Sequence, residues 1–318
     1  MGSIQSTDTV LMVPPSDFGF NEQTALDNEF QTRSTLSSTE INRRANQEFQ
    51  EMVRTLRRAG VRVLILDKPP AKEVHTPDAV FPNNWFSTEV NGAVLIYPMA
   101  VENRRSEIRP ADLRFVLENN GFQVGEIIKV GKNDGLEGFL EGTGSLVIDH
   151  IGRKIYAAGS KRCHPSQFQN FLKSRSYDGV FFETRSTSNK PIYHTNVIMS
   201  IGTHFAVICD QCIPDSTQRE EVLDSLHSRE IIKISTQQME QSYCGNILEL
   251  KTLRGNPVIL MSRRAREGYN ESQLGQLKGH GEILEVDIPT IEQVGGGSSR
   301  CMVAEIFLRR GLSNEGNS

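Results

Sequence analysis

Apolar residues return at helical spacing after Ser37: Ile41, Ala45, Phe49, Met52, Val53 and Leu56 would all share one helix face. Ser37 followed by Glu40 has the form of a capping box ahead of that run. Gly60 ends it, and VRVLILD from Val61 reads as a buried strand. The same phrase then recurs. Pro110 opens ADLRFVLENN, Gly121 stops it, and FQVGEIIKV follows as a strand. Gln167 to Lys173 reads as a helix before VFFET, and TQREEVLDSLHS as a helix before IIKIS. NESQLGQLKGHG, weakened as a helix by Gly275, precedes the strand ILEVDIP.

These strands begin near residues 61, 122, 180, 231 and 283, so the intervals are 61, 58, 51 and 52. A steady period of that size marks repeated supersecondary units. Each strand is followed by a polar or glycine-rich motif: HTPDAVFPNNW, LEGTGS, YHTNV, YCGN and GGGSSRC. The first four motifs lead into hairpins. Asn91-Gly92 turns the first as a type I′ pair would, and His150-Ile151-Gly152, Ile201-Gly202 and Arg254-Gly255-Asn256 occupy the equivalent turns. The fifth unit lacks a hairpin, and the apolar strand TVLMVPP near the N-terminus is free to close a ring there. The pattern predicts an α/β fold of five units around a pseudo-fivefold axis, with the motifs meeting at the centre. It contains no linker, so residues 1–318 are expected to form one domain.

The fifth motif carries the sharpest chemistry. Val294 to Leu308 reads VGGGSSRCMVAEIFL. Three glycines let backbone approach a ligand closely. Met302 to Leu308 is expected to be a helix with Val303, Ile306 and Phe307 inward. That would place Cys301 at a helix N-terminus, where the dipole and Arg300 favour a thiolate. Convergence of the motifs would gather Asp78, Asn83, Asn84, Glu141, His194, Asn196, Gly245, Asn246 and Cys301. Singly, each has a plain structural reading, such as a turn aspartate or a strand histidine. Together they supply what a cysteine nucleophile needs. His194 would protonate a leaving amine and then activate water, and Glu141 would orient the imidazole.

Composition narrows the classes. With 37% hydrophobic and 23% charged residues, the chain reads as a soluble globular protein. A formal net charge of −4 gives no reason to expect nucleic acid or an anionic membrane as partner. No apolar run approaches a membrane span, and MGSIQSTDTVLMVPP lacks the basic start of a secretory signal. Gly2 with Ser6 fits a myristoylation pattern only superficially. Five scattered cysteines point to reduced thiols and a cytoplasmic setting. Cys209-x-x-Cys212 with His204 upstream hints at zinc. A second pair of ligands at zinc spacing is missing, so no metal and no cofactor is expected.

The order of motifs resembles the guanidine-modifying amidinotransferase superfamily, the pentein fold, and is most similar to its arginine-deiminase-related, citrulline-utilization hydrolases of CtlX type. The resemblance runs from VLMVPPSDFGFNEQTALDNEFQ through DAVFPNNWFSTE, NRRSEIR, LEGTGSLV, GSKRC and YHTNVIMSIG to GNILEL and PTIEQVGGGSSRCMVAEIFL. It implies a five-bladed β/α propeller with a central active site and a catalytic set of Cys301, His194 and Glu141. It implies substrate-binding roles for Asp78 and Phe81, the ends of a D-x-x-F motif, and for Asn83, Asn84, Asn196 and Asn246. Arg104, Arg105 and Arg162 match arginines that hold the substrate carboxylate in relatives. Phe18, Asn21 and Gln23 lie in the N-terminal motif and would contribute to closure. The implied partner is a small amino-acid substrate, and a homodimer is compatible with the pattern.

Arginine-processing relatives usually place a carboxylate at the position of Asn84, and arginine deiminases another at that of Asn196. Here both are amides. A buried cation set against neutral amides forfeits charge-assisted hydrogen bonds, about twice as strong as neutral ones. A neutral ureido group loses nothing, because an amide both donates and accepts. The expected reaction is therefore hydrolysis of citrulline to ornithine, carbon dioxide and ammonia through an S-carbamoyl enzyme. The alternatives are a guanidine-directed deiminase, dihydrolase or amidinotransferase, and a non-catalytic binding protein of the same fold, as a ribosome anti-association factor is. Retention of Cys301, His194 and Glu141 together argues against the last.

Overall fold

Ser37 Oγ accepts the amide of Glu40 at 3.2 Å and starts helix α1, Ser38–Arg58. Only this half of the expected capping box forms. The Glu40 carboxylate turns outward to Arg43 and Arg44, each at 2.7 Å. The six apolar positions of its stripe are buried, and the helix packs on strands from two neighbouring sheets. Gly60 then takes φ 84°, a left-handed conformation that ends the helix at no steric cost. The computed structural model describes residues 4–68, 75–131 and 137–311, and Gly2 lies outside them.

In chain order, β1 is Thr9–Met12, and β2, Arg62–Ile65, follows α1. Next come β3 Phe86–Thr88, β4 Val94–Ile96, α2 Glu102–Arg105, α3 Pro110–Asn119 and β5 Ile127–Lys129. The second unit continues with α4 Gly142–Ser145, β6 Val147–Asp149, β7 Lys154–Ala158, α5 Pro165–Arg175 and β8 Asp178–Phe182. The third has α6 Thr195–Ile198, β9 Met199–Ile201, β10 Phe205–Ile208, α7 Ser216–Ser225 and β11 Glu230–Lys233. The fourth has α8 Thr236–Ser242, β12 Leu248–Lys251, β13 Pro257–Ser262, α9 Arg263–Gly268, α10 Glu271–His280 and β14 Glu282–Val286. Strand β15, Ala304–Glu305, completes the fifth.

The strands form five sheets of three: β15-β1-β2, β3-β4-β5, β6-β7-β8, β9-β10-β11 and β12-β13-β14. In four of them a hairpin pairs antiparallel, and its second strand then pairs parallel with the strand after the next helix. The fifth sheet repeats that order with its hairpin cut open: β1 pairs antiparallel with β15 and parallel with β2. TVLMVPP thus closes the fifth unit as the sequence predicts. The architecture is α/β with five matching sheets. Among the described residues no helix is long and apolar enough to cross a membrane.

Three local expectations change. The segment after Cys301 is a turn and then β15, not a helix. The Val10↔Glu305 and Leu11↔Ala304 pairings use its backbone, and Val303, Ile306 and Phe307 are buried between neighbouring sheets. FQVGEIIKV pairs as a strand over Ile127–Lys129 only, because the Gln123 and Gly125 amides are taken by Arg309 O and Gly92 O. Asn91-Gly92 is not a type I′ pair. Only Gly92 has positive φ, at 96°, and Glu89 and Ala93 bracket a three-residue loop closed by Glu89 N to Ala93 O at 2.9 Å.

Candidate active site

Every motif sits at the N-terminal end of the first strand of its sheet. Asn83 and Asn84 precede β3, Glu141 precedes β6, His194 precedes β9, Asn246 precedes β12 and Cys301 precedes β15. Three motifs coil into one tight turn before the strand begins: Pro82–Asn84, α4 and α6. Because the five strands are equivalent, their starts meet. A Cβ on Gly144 would collide with Asn84 Nδ2 and with the His194 ring, so glycine is required for the second motif to fit between the first and third.

His194 Nε2 lies 2.9 Å from Glu141 Oε2, with His194 2% and Glu141 0% exposed. The other Glu141 oxygen accepts the Ala100 amide at 3.0 Å, and Arg162 Nη1 stands 3.7 Å from Oε2. Burial alone would raise the Glu141 pKa, but Arg162 and the His194 bond outweigh it and hold the carboxyl at about 2. Burial lowers the His194 pKa against the pull of Glu141, so the imidazole is neutral near neutral pH and can act as a base.

Cys301 is 3% exposed. Its sulfur receives the side-chain amides of Asn246 at 3.3 Å and Asn196 at 3.5 Å, and Asn246 Nδ2 also reaches Asn196 O at 2.9 Å. With no helix behind it, the thiol is not acidified as the sequence predicts. Burial pushes its pKa up, opposed by the Ser298 backbone, Asn246 and Arg300. Arg300 is itself turned to Glu305 at 2.8 Å.

Asn196 and Asn246 therefore hold the sulfur. The first motif makes no hydrogen bond to it. Arg104 Nη1 donates to Asn84 Oδ1 at 2.7 Å, and its other nitrogens bind Glu107, Phe81 O and Asp78 O. Asn84 is left with Nδ2 buried and unpaired. Asp78 Oδ2 accepts from Asn21 and Thr24, while Oδ1 is buried and unpaired, as are both side-chain atoms of Asn83 and Ser299 Oγ. Such groups are rare in a native interior and costly there. Here they cluster in the first and fifth motifs. Phe81 packs on Gly295 and Gly297 and joins the two. Of the other arginines, Arg162 binds Asp27 at 2.6 Å, and exposed Arg105 reaches the Met99 and Ala100 carbonyls.

The N-terminal motif covers the site. Asn28 Nδ2 donates to Gly296 O, Gln31 Nε2 to Val294 O and the Thr32 amide to Gln293 O. Asn21 exchanges hydrogen bonds with Asn103, whose amide is also held by Gln23. Phe18 is buried against Gly295. Tyr193 and Tyr243, which the sequence reading passed over, both pack on Phe30, and Tyr193 OH donates to Gly296 O at 2.6 Å. A signal was present: YHTN and YCGN place Tyr193 with Asn196 and Tyr243 with Asn246 at the same spacing.

Residues 14–308 match the sequence profile of N,N-dimethylarginine dimethylhydrolase, eukaryotic. The chain belongs to that family. It is an enzyme of the pentein superfamily, a hydrolase of carbon–nitrogen bonds. The fold is similar to that of the N-terminal domain of ArgZ, a cyanobacterial arginine dihydrolase, bound to substrate (15% identity, TM-score 0.71, covering 94% of this chain and 99% of that one). It also resembles AgrE in complex with L-arginine (15%, 0.71), where it covers 96% of this chain but 41% of the longer one. A third likeness is to the dimethylarginine dimethylhydrolase of Pseudomonas aeruginosa complexed with citrulline (13%, 0.64, 94% and 99%). No sequence match is found among curated proteins.

Proposed function

We propose that the enzyme hydrolyses the ureido group of citrulline, giving ornithine, carbon dioxide and ammonia. The observation that carries this reading is the orientation of Asn84. Arg104 takes its oxygen, so the amide presents a donor, Nδ2, to the site. A guanidinium has only N–H groups and would meet that donor with another. A ureido group has an oxygen to accept it, while its N–H groups suit Asp78 Oδ1 and Asn83 Oδ1. Cys301 Sγ gives its proton to His194 as it attacks the ureido carbon, and His194 passes that proton to the departing δ-amine of ornithine. Water then attacks the S-carbamoyl carbon, His194 takes a proton from it, and the C–S bond breaks. Glu141 acts as positioning residue for His194. The substrate carboxylate would be held by Arg162 in exchange for Asp27, or by Arg105 at the rim.

The second reading is a guanidine substrate, arginine or dimethylarginine. The name of the matched family and the acidic Asp78 favour it. Incubation with citrulline, arginine and dimethylarginine, with products identified by mass, separates the two. Ornithine from citrulline at the highest kcat/KM supports the proposal, and preference for either guanidine overturns it.

Asn84→Asp sharpens the test. The carboxylate keeps an oxygen on Arg104 and turns an acceptor, not a donor, to the site. Citrulline kcat/KM should fall and arginine affinity should rise. The shift should reach roughly one to two decades, the equivalent of the 1.5–3 kcal/mol of a charged hydrogen bond. An unchanged ratio would mean that Asn84 does not read substrate charge.

A further inference from the structure

A cavity lies behind Cys301. It occupies about 60 Å³ and is lined by residues of the first strand of every sheet: β3, β6, β9, β12 and β15. Those strands start at the active-site motifs. The near end of the cavity is accordingly formed by Thr143, Asn196, Ile247 and Arg300, each within a motif or next to one. Asn196 links the cavity to the site, since its amide rests on Cys301 Sγ. At the far end, Gln5 spans the strand ends, donating to Ile148 O and Ile201 O and accepting the His150 amide. Ser200 lies between, 8% exposed, with its Oγ buried and without a partner.

A volume of this size holds a few water molecules, and a buried hydroxyl without a protein partner is the kind of group that binds one. The reaction has a use for them. A covalent mechanism must bring water to the S-carbamoyl carbon. On the substrate side, Cys301, His194 and Glu141 are buried beneath the N-terminal motif, and on the proposed reaction ornithine would block that side until it leaves.

Resting on the hydrolytic reading above, we propose that the chamber behind Cys301 stores the water that cleaves the covalent intermediate, with Ser200 Oγ as its inner ligand. In that step the water oxygen bonds to the carbamoyl carbon and the C–S bond breaks. His194 takes the water proton and returns it to sulfur as thiol, and carbamic acid falls to carbon dioxide and ammonia.

The test uses Ser200→Leu, which fills the chamber, and Ser200→Ala, which keeps the space but removes the hydroxyl. Potassium cyanate adds across a thiol to give S-carbamoylcysteine directly, so the intermediate can be loaded on Cys301 whatever the natural substrate. Peptide mass spectrometry then follows its loss after cyanate is removed. We expect decarbamoylation to slow at least tenfold in Ser200→Leu and a few-fold in Ser200→Ala, with cyanate loading unchanged. With citrulline, Ser200→Leu should accumulate the adduct while the first ornithine turnover keeps its rate. Equal decarbamoylation in wild type and both variants overturns the chamber's role, as does a Ser200→Leu that fails to fold beside a Ser200→Ala of wild-type rate. A wild type that sheds the cyanate adduct but ignores citrulline would refute the citrulline reading and leave the chamber standing.

Discussion

Cys301→Ala should remove turnover by roughly 10⁴-fold or more, the order found when a covalent nucleophile is deleted. The fold should survive. The residue sits in a turn ahead of β15, and alanine loses only the two amide contacts to sulfur, while Asn246 keeps its bond to Asn196 O. Unchanged far-ultraviolet circular dichroism beside absent product would show this. Cys209→Ala should leave activity in place, since Cys209 stands at the end of β10, where Cys212 donates to its carbonyl at 2.9 Å. A pH signature separates the nucleophile from a merely buried thiol. Because burial raises its pKa, alkylation of Cys301 by iodoacetamide should climb with pH through a midpoint above that of an ordinary cysteine. A midpoint below the ordinary value would show that a cationic group acidifies the resting thiol.

His194→Ala should lower kcat by roughly 10² to 10⁴, the usual worth of a positioned proton-transfer group. His204, exposed in the β9–β10 turn, serves as the control and should change little. Equal losses at both would reassign the acid/base. Glu141→Gln tests the support behind His194 and has a second readout in stability. The folded pKa of Glu141 is about 2, below its ordinary 4.5, so the charged carboxylate stabilises the fold above about pH 4.5. That contribution is lost as pH falls toward 2. The Tm gap between wild type and Glu141→Gln should therefore be widest above pH 4.5 and shrink steadily below it. A gap independent of pH would mean that the charge of Glu141 does not act on stability.

The repeat was legible because it is written in local signals. Helix stripes, glycine stops and short β-branched strands need no distant partner to be read, and their spacing alone predicted five units. Cys301, His194 and Glu141 followed from that spacing, since equivalent strand starts must meet if the strands are equivalent. Met302–Leu308 failed for the opposite reason. A short apolar run fits helix or strand equally, and its partner β1 lies at the other end of the sequence. Arg104 was legible only in part. Its sequence shows a cation near a substrate motif, but only the fold reveals Glu107 and Asn84 engaging it within the protein. The consequence for Asn84, an amide with a fixed direction, was invisible without that contact.

The opened hairpin of the fifth sheet has a further consequence, for synthesis on the ribosome. Chains fold from the N-terminus as they emerge, and local pairings form before distant ones. β1 can pair with β2 early, but its other edge waits for β15, the last strand of the described chain. Until then that edge is an unpaired template for other chains. The sheet that would close last also seats Cys301, so on this order the proposed nucleophile would take its place after the other motifs. A nascent chain would therefore carry His194, Glu141 and the motif amides before Cys301 joins them.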